Sequence, residues 1–288
     1  MNYIKKYQKM ISLRNLSDHT MKSYTTYIKT YLEYLDIINK YPSQVTDKDL
    51  QNYLTWLKDS RNLSDRTINS AISQIRFFTL YVLRKQWNPY AVPMRKFDTF
   101  LPFVPSQSEV QTFISSIPDI RIKTMVALMY SSGLRISEVC NLRYEDISRT
   151  NMRIHITHGK NRSDRYALLS TKSLELLTEY WFASGKPTGY LFPKIHNPEK
   201  PIDTFYLSRH IHEHEVRLSW PKRLTCHSFR HAFGTHLYQN GTDLLTIKTL
   251  MGHKSLNSTL IYVHLSVGDS TCATSPFDLM EGITSGKN

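Results

Sequence analysis

Apolar and aromatic side chains at Tyr24, Tyr27, Ile28, Tyr31, Leu32 and Leu35 recur every three or four residues, so they share one face of a helix that Ser17 can cap. A second helix starts at Thr46, with Asp49 three residues on, and runs through Leu50, Leu54 and Leu57. Ser64 caps a third carrying Ile68, Ala71, Ile72, Ile75 and Phe78, and Asn88-Pro89 ends that run. The openings Leu16-Ser17-Asp18-x-Thr20 and Leu63-Ser64-Asp65-x-Thr67 match, but so short a likeness reads as two independent caps and not as a repeat. The first hundred residues are therefore predicted to be all-helical.

The period is lost from Ala91 to Pro105, where Pro93, Pro102 and Pro105 stand beside Arg95 and Lys96, the composition of an extended basic connection. The predicted division is a helical domain over residues 1–98, a linker over 99–105 and a second domain over 106–288. Ser106-Gln107-Ser108-Glu109 has the form of a capping box and opens that second domain. Arg153 to Thr157 alternates apolar and polar, a turn follows at Gly159 to Asp164, and Tyr166 to Leu169 is apolar again, which predicts a β-hairpin with Lys160, Arg162 and Arg165 at its turn. Leu224 to Tyr238, Leu244 to Met251 and Thr259 to Leu265 read as short helices separated by Gly241 and Gly252. The fold class is mainly α, in two domains, with a small β-sheet in the second.

Composition narrows the function. With 40% hydrophobic residues, 10 Gly and 12 Pro in 288, the chain is neither disordered nor low in complexity. The 37 Lys and Arg against 24 Asp and Glu leave a net charge of +13, which calls for a polyanionic partner, nucleic acid before membrane. The excess is shared, with 16 basic against 8 acidic side chains in residues 1–105 and 21 against 16 in residues 106–288, so both halves are candidates to touch a duplex. No apolar run approaches the roughly 18 to 20 residues of a spanning helix, and Met1 to Met10 lacks the apolar stretch of a signal peptide, so a cytoplasmic location is expected. Cys140, Cys226 and Cys272 are an odd, widely spaced set, which disfavours disulfides and thiolate metal sites.

The chemistry must then come from side chains without a metal or cofactor. The sequence has no H-E-x-x-H, no Gly-Lys-Ser/Thr phosphate loop and no clustered acids, and His210, His212 and His214 read as a solvated polar face. The second domain does offer Arg135 and Glu138 after Gly133, Lys160 in the hairpin turn, His227 and Arg230 one helical turn apart, and His253 nine residues before Tyr262. Taken singly, each is an ordinary surface or packing residue, and so are His231 and His236. Together they are the parts for phosphoryl transfer: guanidiniums for the nonbridging oxygens, Lys or His to move protons, and a tyrosine as nucleophile.

The ordered set Gly-Leu-Arg135-x-Ser-Glu138, Gly-Lys160, His227-x-x-Arg230-His231, Leu-Met-Gly-His253-x-Ser and Ile-Tyr262-x-His264 resembles the tyrosine recombinases, or phage-type integrases, which include the Xer resolvases. The resemblance spans nearly the whole chain. It implies a helical core-binding domain followed by a catalytic domain, the two closing on double-stranded DNA as a clamp, and a homo-tetramer acting on two DNA sites, with an accessory directionality factor as a further partner. It implies that Tyr262 attacks a phosphodiester to give a 3′-phosphotyrosyl link and a free 5′-hydroxyl, without metal or ATP. Arg135 and Arg230 would hold the phosphate, Lys160 would protonate the leaving oxygen, His227 would help take the tyrosine proton, His253 would hydrogen-bond the phosphate and Glu138 would orient its neighbours. Asn161, Ser163 and Leu168 depart from the family hairpin. The tail from Val267 departs from the Xer pattern, which favours a recombinase of a mobile element, and its Phe277, Leu279 and Met280 could pack on a neighbouring protomer. Two alternatives stand beside this reading: a relaxing enzyme of topoisomerase IB type, and a non-cleaving architectural protein of a mobile element.

Overall fold

A computed structural model describes residues 2–98, 100–157 and 164–266. The chain divides into two compact units, one ending at Phe100 and the other starting at Leu101. The first holds four helices: α1 (Tyr3–Ser12), α2 (Asp18–Ile37), α3 (Asp47–Asp59) and α4 (Asp65–Tyr81). Ser17, Thr46 and Ser64 cap α2, α3 and α4 as their sequence predicts, each side-chain oxygen accepting a backbone N–H of the first turn. The core between them is aromatic. Tyr31 lies edge-on to Tyr53 at 5.2 Å and to Phe78 at 6.2 Å, and the buried Tyr7 hydroxyl donates to Gln74 Oε1 at 2.8 Å.

Four features of this unit differ from the sequence reading. Helix α1 was not predicted, because only Tyr7 and Ile11 of its ten residues are fully buried and two positions make no periodic stripe. Helix α4 stops at Tyr81, well before Asn88-Pro89, and the chain turns away through Arg84 at φ 56°. The two similar caps are more alike than five residues suggest. Arg14 and Arg61 each lie over an aromatic ring, Asn15 and Asn62 both take the left-handed conformation, and the Ser17–Thr20 and Ser64–Thr67 hydroxyl pairs both close at 2.8 Å. Finally, the start of the extended basic stretch is fastened down. Asn69 exchanges two hydrogen bonds with the Arg95 backbone, Arg95 pairs with Asp65, and Val92 is buried.

The second unit begins with α5 (Gln107–Ser116), opened by the predicted Ser106/Glu109 capping box, and α6 (Ile120–Ser131), whose Met125, Val126, Leu128 and Met129 are buried. The short α7 (Ile136–Cys140) follows. Strands β1 (Ile147–Ser148), β2 (Arg153–Ile156) and β3 (Arg165–Leu168) then form an antiparallel sheet in the order β1-β2-β3. Helix α8 (Thr171–Ala183), the small hairpin of β4 (Pro193–Lys194) and β5 (Asn197–Pro201), and α9 (Thr204–Arg217) lead to α10 (Cys226–Gln239), α11 (Leu244–Met251) and α12 (Asn257–Ser266). Buried side chains from α5, α6, α9, α10 and the sheet make one core.

His214 corrects the expectation of a solvated histidine face on α9. It is buried, stacked edge-on against Phe113, with Nε2 2.9 Å from Ser116 Oγ. Its partners lie about a hundred residues earlier, beyond the reach of local pattern. Cys140 and Cys226 are buried free thiols, and Cys272 lies outside the described residues. Among the described residues no helix is long and apolar enough to cross a membrane, and no group of three or more His, Cys, Asp or Glu side chains is placed to hold a metal ion.

Candidate active site

The site starts at a glycine. Gly133 follows α6 with φ +61°, and a Cβ there would fall 2.3 Å from the Phe233 ring on α10, so only glycine lets this turn pack against that helix. The turn delivers Arg135 to the N-cap position of α7. Glu138, at the third position of that helix, accepts from the Arg135 backbone N–H through Oε2 at 2.8 Å and from Arg135 Nη1 through Oε1 at 2.7 Å.

The β2–β3 register brings a second arginine to the same carboxylate. Ile154 faces Ala167 and Ile156 faces Arg165, and because side chains alternate across a strand, Arg165 shares the inward face of Ile154, Ile156 and Ala167. Its Nη1 and Nη2 meet Glu138 Oε1 and Oε2 at 2.8 Å each, a two-pronged pair that fixes both planes. A third guanidinium, that of the buried Arg230 on α10, lies 3.9 Å from Glu138 Oε2.

The other anchor is the end of α11. Arg165 Nε donates to the Leu250 carbonyl, Arg230 Nη2 to that of Met251 and Arg135 Nη2 to that of Gly252, so three consecutive carbonyls each take one arginine. The last carbonyls of a helix have no intrahelical partner and carry the negative end of its dipole, which suits cations. Gly252 closes α11 in the left-handed conformation at φ 61°, and a Cβ on it would press on the Arg165 side chain at 2.7 Å. Arg230 Nη1 also donates to the Gly133 carbonyl, tying the glycine turn to α10.

The charges follow from this geometry. Burial alone would raise the Glu138 carboxyl, but the hydrogen bonds and charge of Arg165 and Arg135 outweigh it and bring the pKa down to about 2. Burial and the neighbouring Arg135 lower Arg230 to about 10, which still leaves it cationic at neutral pH. One carboxylate thus serves three guanidiniums, and the site keeps an excess of positive charge.

Tyr262, on α12, is 1% exposed. Its ring lies parallel to His253, with centroids 6.1 Å apart, and 6.1 Å from the tilted ring of His231. Burial pushes the phenol up to about 12, against the pull of Arg230 and Arg135. His253 Nδ1 is 3.0 Å from the buried Thr259 hydroxyl. Burial, with the charges of Arg230 and Arg135, lowers its pKa to about 4. His231 is lowered to about 4 by burial, His227 and Arg230, so both rings are neutral at pH 7.

Arg135, Glu138, Arg230, His253 and Tyr262 are therefore brought together. His227 stands at the exposed start of α10, its ring 6.3 Å from that of His231. Lys160 lies outside the described residues. Sequence reasoning missed Arg165 as a member of the cluster, because it placed that residue in the hairpin turn and not on the strand's inner face. It also assigned His231 to packing alone, as it did His236, whose Nδ1 does pair with the Tyr130 hydroxyl at 3.0 Å. The α11 carbonyls belong to the backbone, and only Gly252 signalled them.

The chain is similar to known proteins along most of its length. Residues 106–268 match the phage integrase family, and residues 3–89 match the phage integrase N-terminal SAM-like domain. A tyrosine recombinase of Pseudothermotoga lettingae is 32% identical over 89% of this chain and 91% of its own length. Tyrosine recombinase XerD of Staphylococcus saprophyticus is 29% identical over 91% of this chain and 94% of its own. The fold is shared with the Tn1549 transposon integrase in complex with circular intermediate DNA, at a TM-score of 0.73 and 19% identity over 91% of this chain and 95% of that one. It is also shared with a lambda integrase dimer bound to a core site, at a TM-score of 0.72 and 17% identity over 90% and 93%. With family matches in both compact units, the chain belongs to the phage integrase family and is a tyrosine-type site-specific recombinase.

Proposed function

We propose that this recombinase cuts and rejoins double-stranded DNA through a phosphotyrosyl bond at Tyr262, and that the arginine cluster around Glu138 is its phosphate-binding centre. The observation that carries this reading is the convergence of Arg135, Arg165 and Arg230 on one carboxylate and one helix end, beside a buried tyrosine. Such fixed donors need little rearrangement as charge grows on a phosphorane-like transition state. Arg230 spends two of its five N–H donors on carbonyls, and Arg135 keeps donors beyond its Glu138 and Gly252 bonds.

In this scheme Tyr262 Oη attacks the phosphorus, the bond to the 5′-oxygen breaks, and a 3′-phosphotyrosyl ester conserves the bond for religation. Lys160 gives a proton to the departing 5′-oxygen. His227, exposed at the start of α10, takes the tyrosine proton towards solvent. His253 hydrogen-bonds the phosphate, and Glu138 holds the arginines. The first unit serves as the core-binding domain on the duplex and the second as the catalytic domain. Four copies act on two sites within a mobile element in the cytoplasm, with an accessory protein setting direction. The recombinase relatives favour neither the relaxing nor the architectural alternative. Incubation with sheared genomic DNA of the source organism, in chelator and without ATP, should yield protein–DNA links that survive SDS at a few inverted-repeat sites. Links that require added metal or ATP would contradict the scheme.

A further inference from the structure

Three rings form a row from the interior to the surface of the second unit. His231 lies 6.1 Å from the ring of the buried Tyr262 on one side and 6.3 Å from the ring of His227 on the other, centroid to centroid. His227 and His231 stand one helical turn apart, which puts them on one face of α10, and His227 is exposed at the start of that helix. His231 also carries a feature that its packing does not explain. Its Nδ1 is buried and has no hydrogen-bond partner among the described residues, an arrangement that costs stability and calls for a role. The other histidine beside Tyr262 differs, because His253 Nδ1 is engaged by the Thr259 hydroxyl at 3.0 Å.

We infer that His231 takes the proton from Tyr262 Oη and passes it along α10 to His227. The inference deepens the reading of Tyr262 as the nucleophile and rests on it. A neutral imidazole holds one N–H and one bare nitrogen, so it can accept at one and donate from the other. As Tyr262 Oη bonds to phosphorus, its O–H bond breaks and the proton joins the bare nitrogen of His231. The proton on the other nitrogen leaves for His227, which releases it to water. Religation runs the row backwards and restores both the phenol and the first tautomer. Burial, with the charges of His227 and Arg230, holds His231 at a pKa of about 4, so at pH 7 the ring cannot store a proton and must hand it on. The titratable and charged groups around it are His227 and Arg230 on its own helix, Tyr262 on α12 and His253 after α11.

The test separates proton transfer from packing. Native chain, His231→Ala and Tyr262→Phe, each shown folded by circular dichroism and DNA-bound by filter retention, are mixed with sheared genomic DNA of the source organism. Links that survive SDS are timed from pH 7 to about pH 9, with and without added imidazole. Links are expected to form about a hundredfold more slowly in His231→Ala at pH 7, with DNA retention unchanged. Imidazole, which fits the space of the lost ring, should return about tenfold of that rate, and the deficit should narrow as pH rises because hydroxide then takes the phenol proton directly. Two results overturn the inference: a folded His231→Ala that links at the native rate, or a slowed one that neither imidazole nor higher pH brings back towards the native chain. Either recovery supports it, since loss of a ring that only packs would leave native chain and variant with parallel pH profiles. If His231→Ala does not fold, His231→Gln, which passes no proton between tautomers, takes its place in the pH comparison. Links persisting in Tyr262→Phe would remove the nucleophile assignment itself, whereas native-rate links in His231→Ala with none in Tyr262→Phe would remove the role of His231 alone.

Discussion

Glu138 and Arg165 are joined by two parallel hydrogen bonds of 2.8 Å, and this pair locks the β-sheet to the short helix that presents Arg135. Both side chains are under a tenth exposed. Removing one partner of such a pair leaves uncompensated buried charge, the costly case for ion pairs. Glu138→Gln should therefore lower folding stability by about 3 kcal/mol at pH 7, as read from urea unfolding. A loss below measurement error would show that the cluster is not organised by this carboxylate.

The same carboxylate sets an acid dependence. Its folded pKa of about 2 lies below the ordinary carboxylate value, so its contribution is full above the unfolded pKa and disappears as pH falls from about 4.5 towards 2. The stability gap between native chain and Glu138→Gln should narrow across that window. A gap that is constant from pH 7 to pH 2.5 would contradict the depressed pKa.

His231 and His253 give a second window. Both are held neutral with pKa values of about 4, below the unfolded value near 6.5, so the unfolded chain binds more protons between those limits and stability falls as pH drops through them. Nuclear magnetic resonance of the ring protons should show His253 titrating near pH 4. Titration near 6.5 would mean that it is not buried beside the arginines.

Arg165→Lys keeps the charge and loses the fork, because an ammonium cannot bond both carboxylate oxygens and the Leu250 carbonyl in one plane. The variant should lose about 2 kcal/mol of stability and form covalent links at a reduced rate, with DNA affinity little changed. Links formed at the native rate would show that Arg165 does not position the phosphate-binding arginines.

Gly133→Ala combines a left-handed residue with a methyl aimed at Phe233. Left-handed strain costs about 1–2 kcal/mol and overpacking about 1–3 kcal/mol, so a loss of about 3 kcal/mol is expected. In a double-mutant cycle, Phe233→Leu should relieve only the packing part. Strictly additive losses would show that the two residues do not meet.

Much of this was legible in the sequence because it is local. Ser17, Thr46, Ser64 and Ser106 cap helices by hydrogen bonds within three residues, and the alternation around Ile154 and Ile156 marks a strand without knowledge of its partner. The identities of Arg135, Glu138, Arg230, His253 and Tyr262 came from ordered motifs, and their assembly depends on packing. What stayed hidden depends on distant contacts. Arg165 becomes part of the cluster only through the β2–β3 register, and His214 is buried by Phe113 and Ser116 from another helix. Helix α1 has too few buried positions to print a period, and the end of α4 is set by the left-handed Arg84.

Whether Tyr262 is the nucleophile is decided by isolating DNA-linked protein after SDS, digesting both components and sequencing the peptide that carries the nucleotide, with Tyr262→Phe in parallel. The expected result is a single nucleotide-bearing peptide, modified at Tyr262, and no linked protein from the variant despite retained DNA binding. A nucleotide on any other residue, or linked protein from Tyr262→Phe, would contradict it.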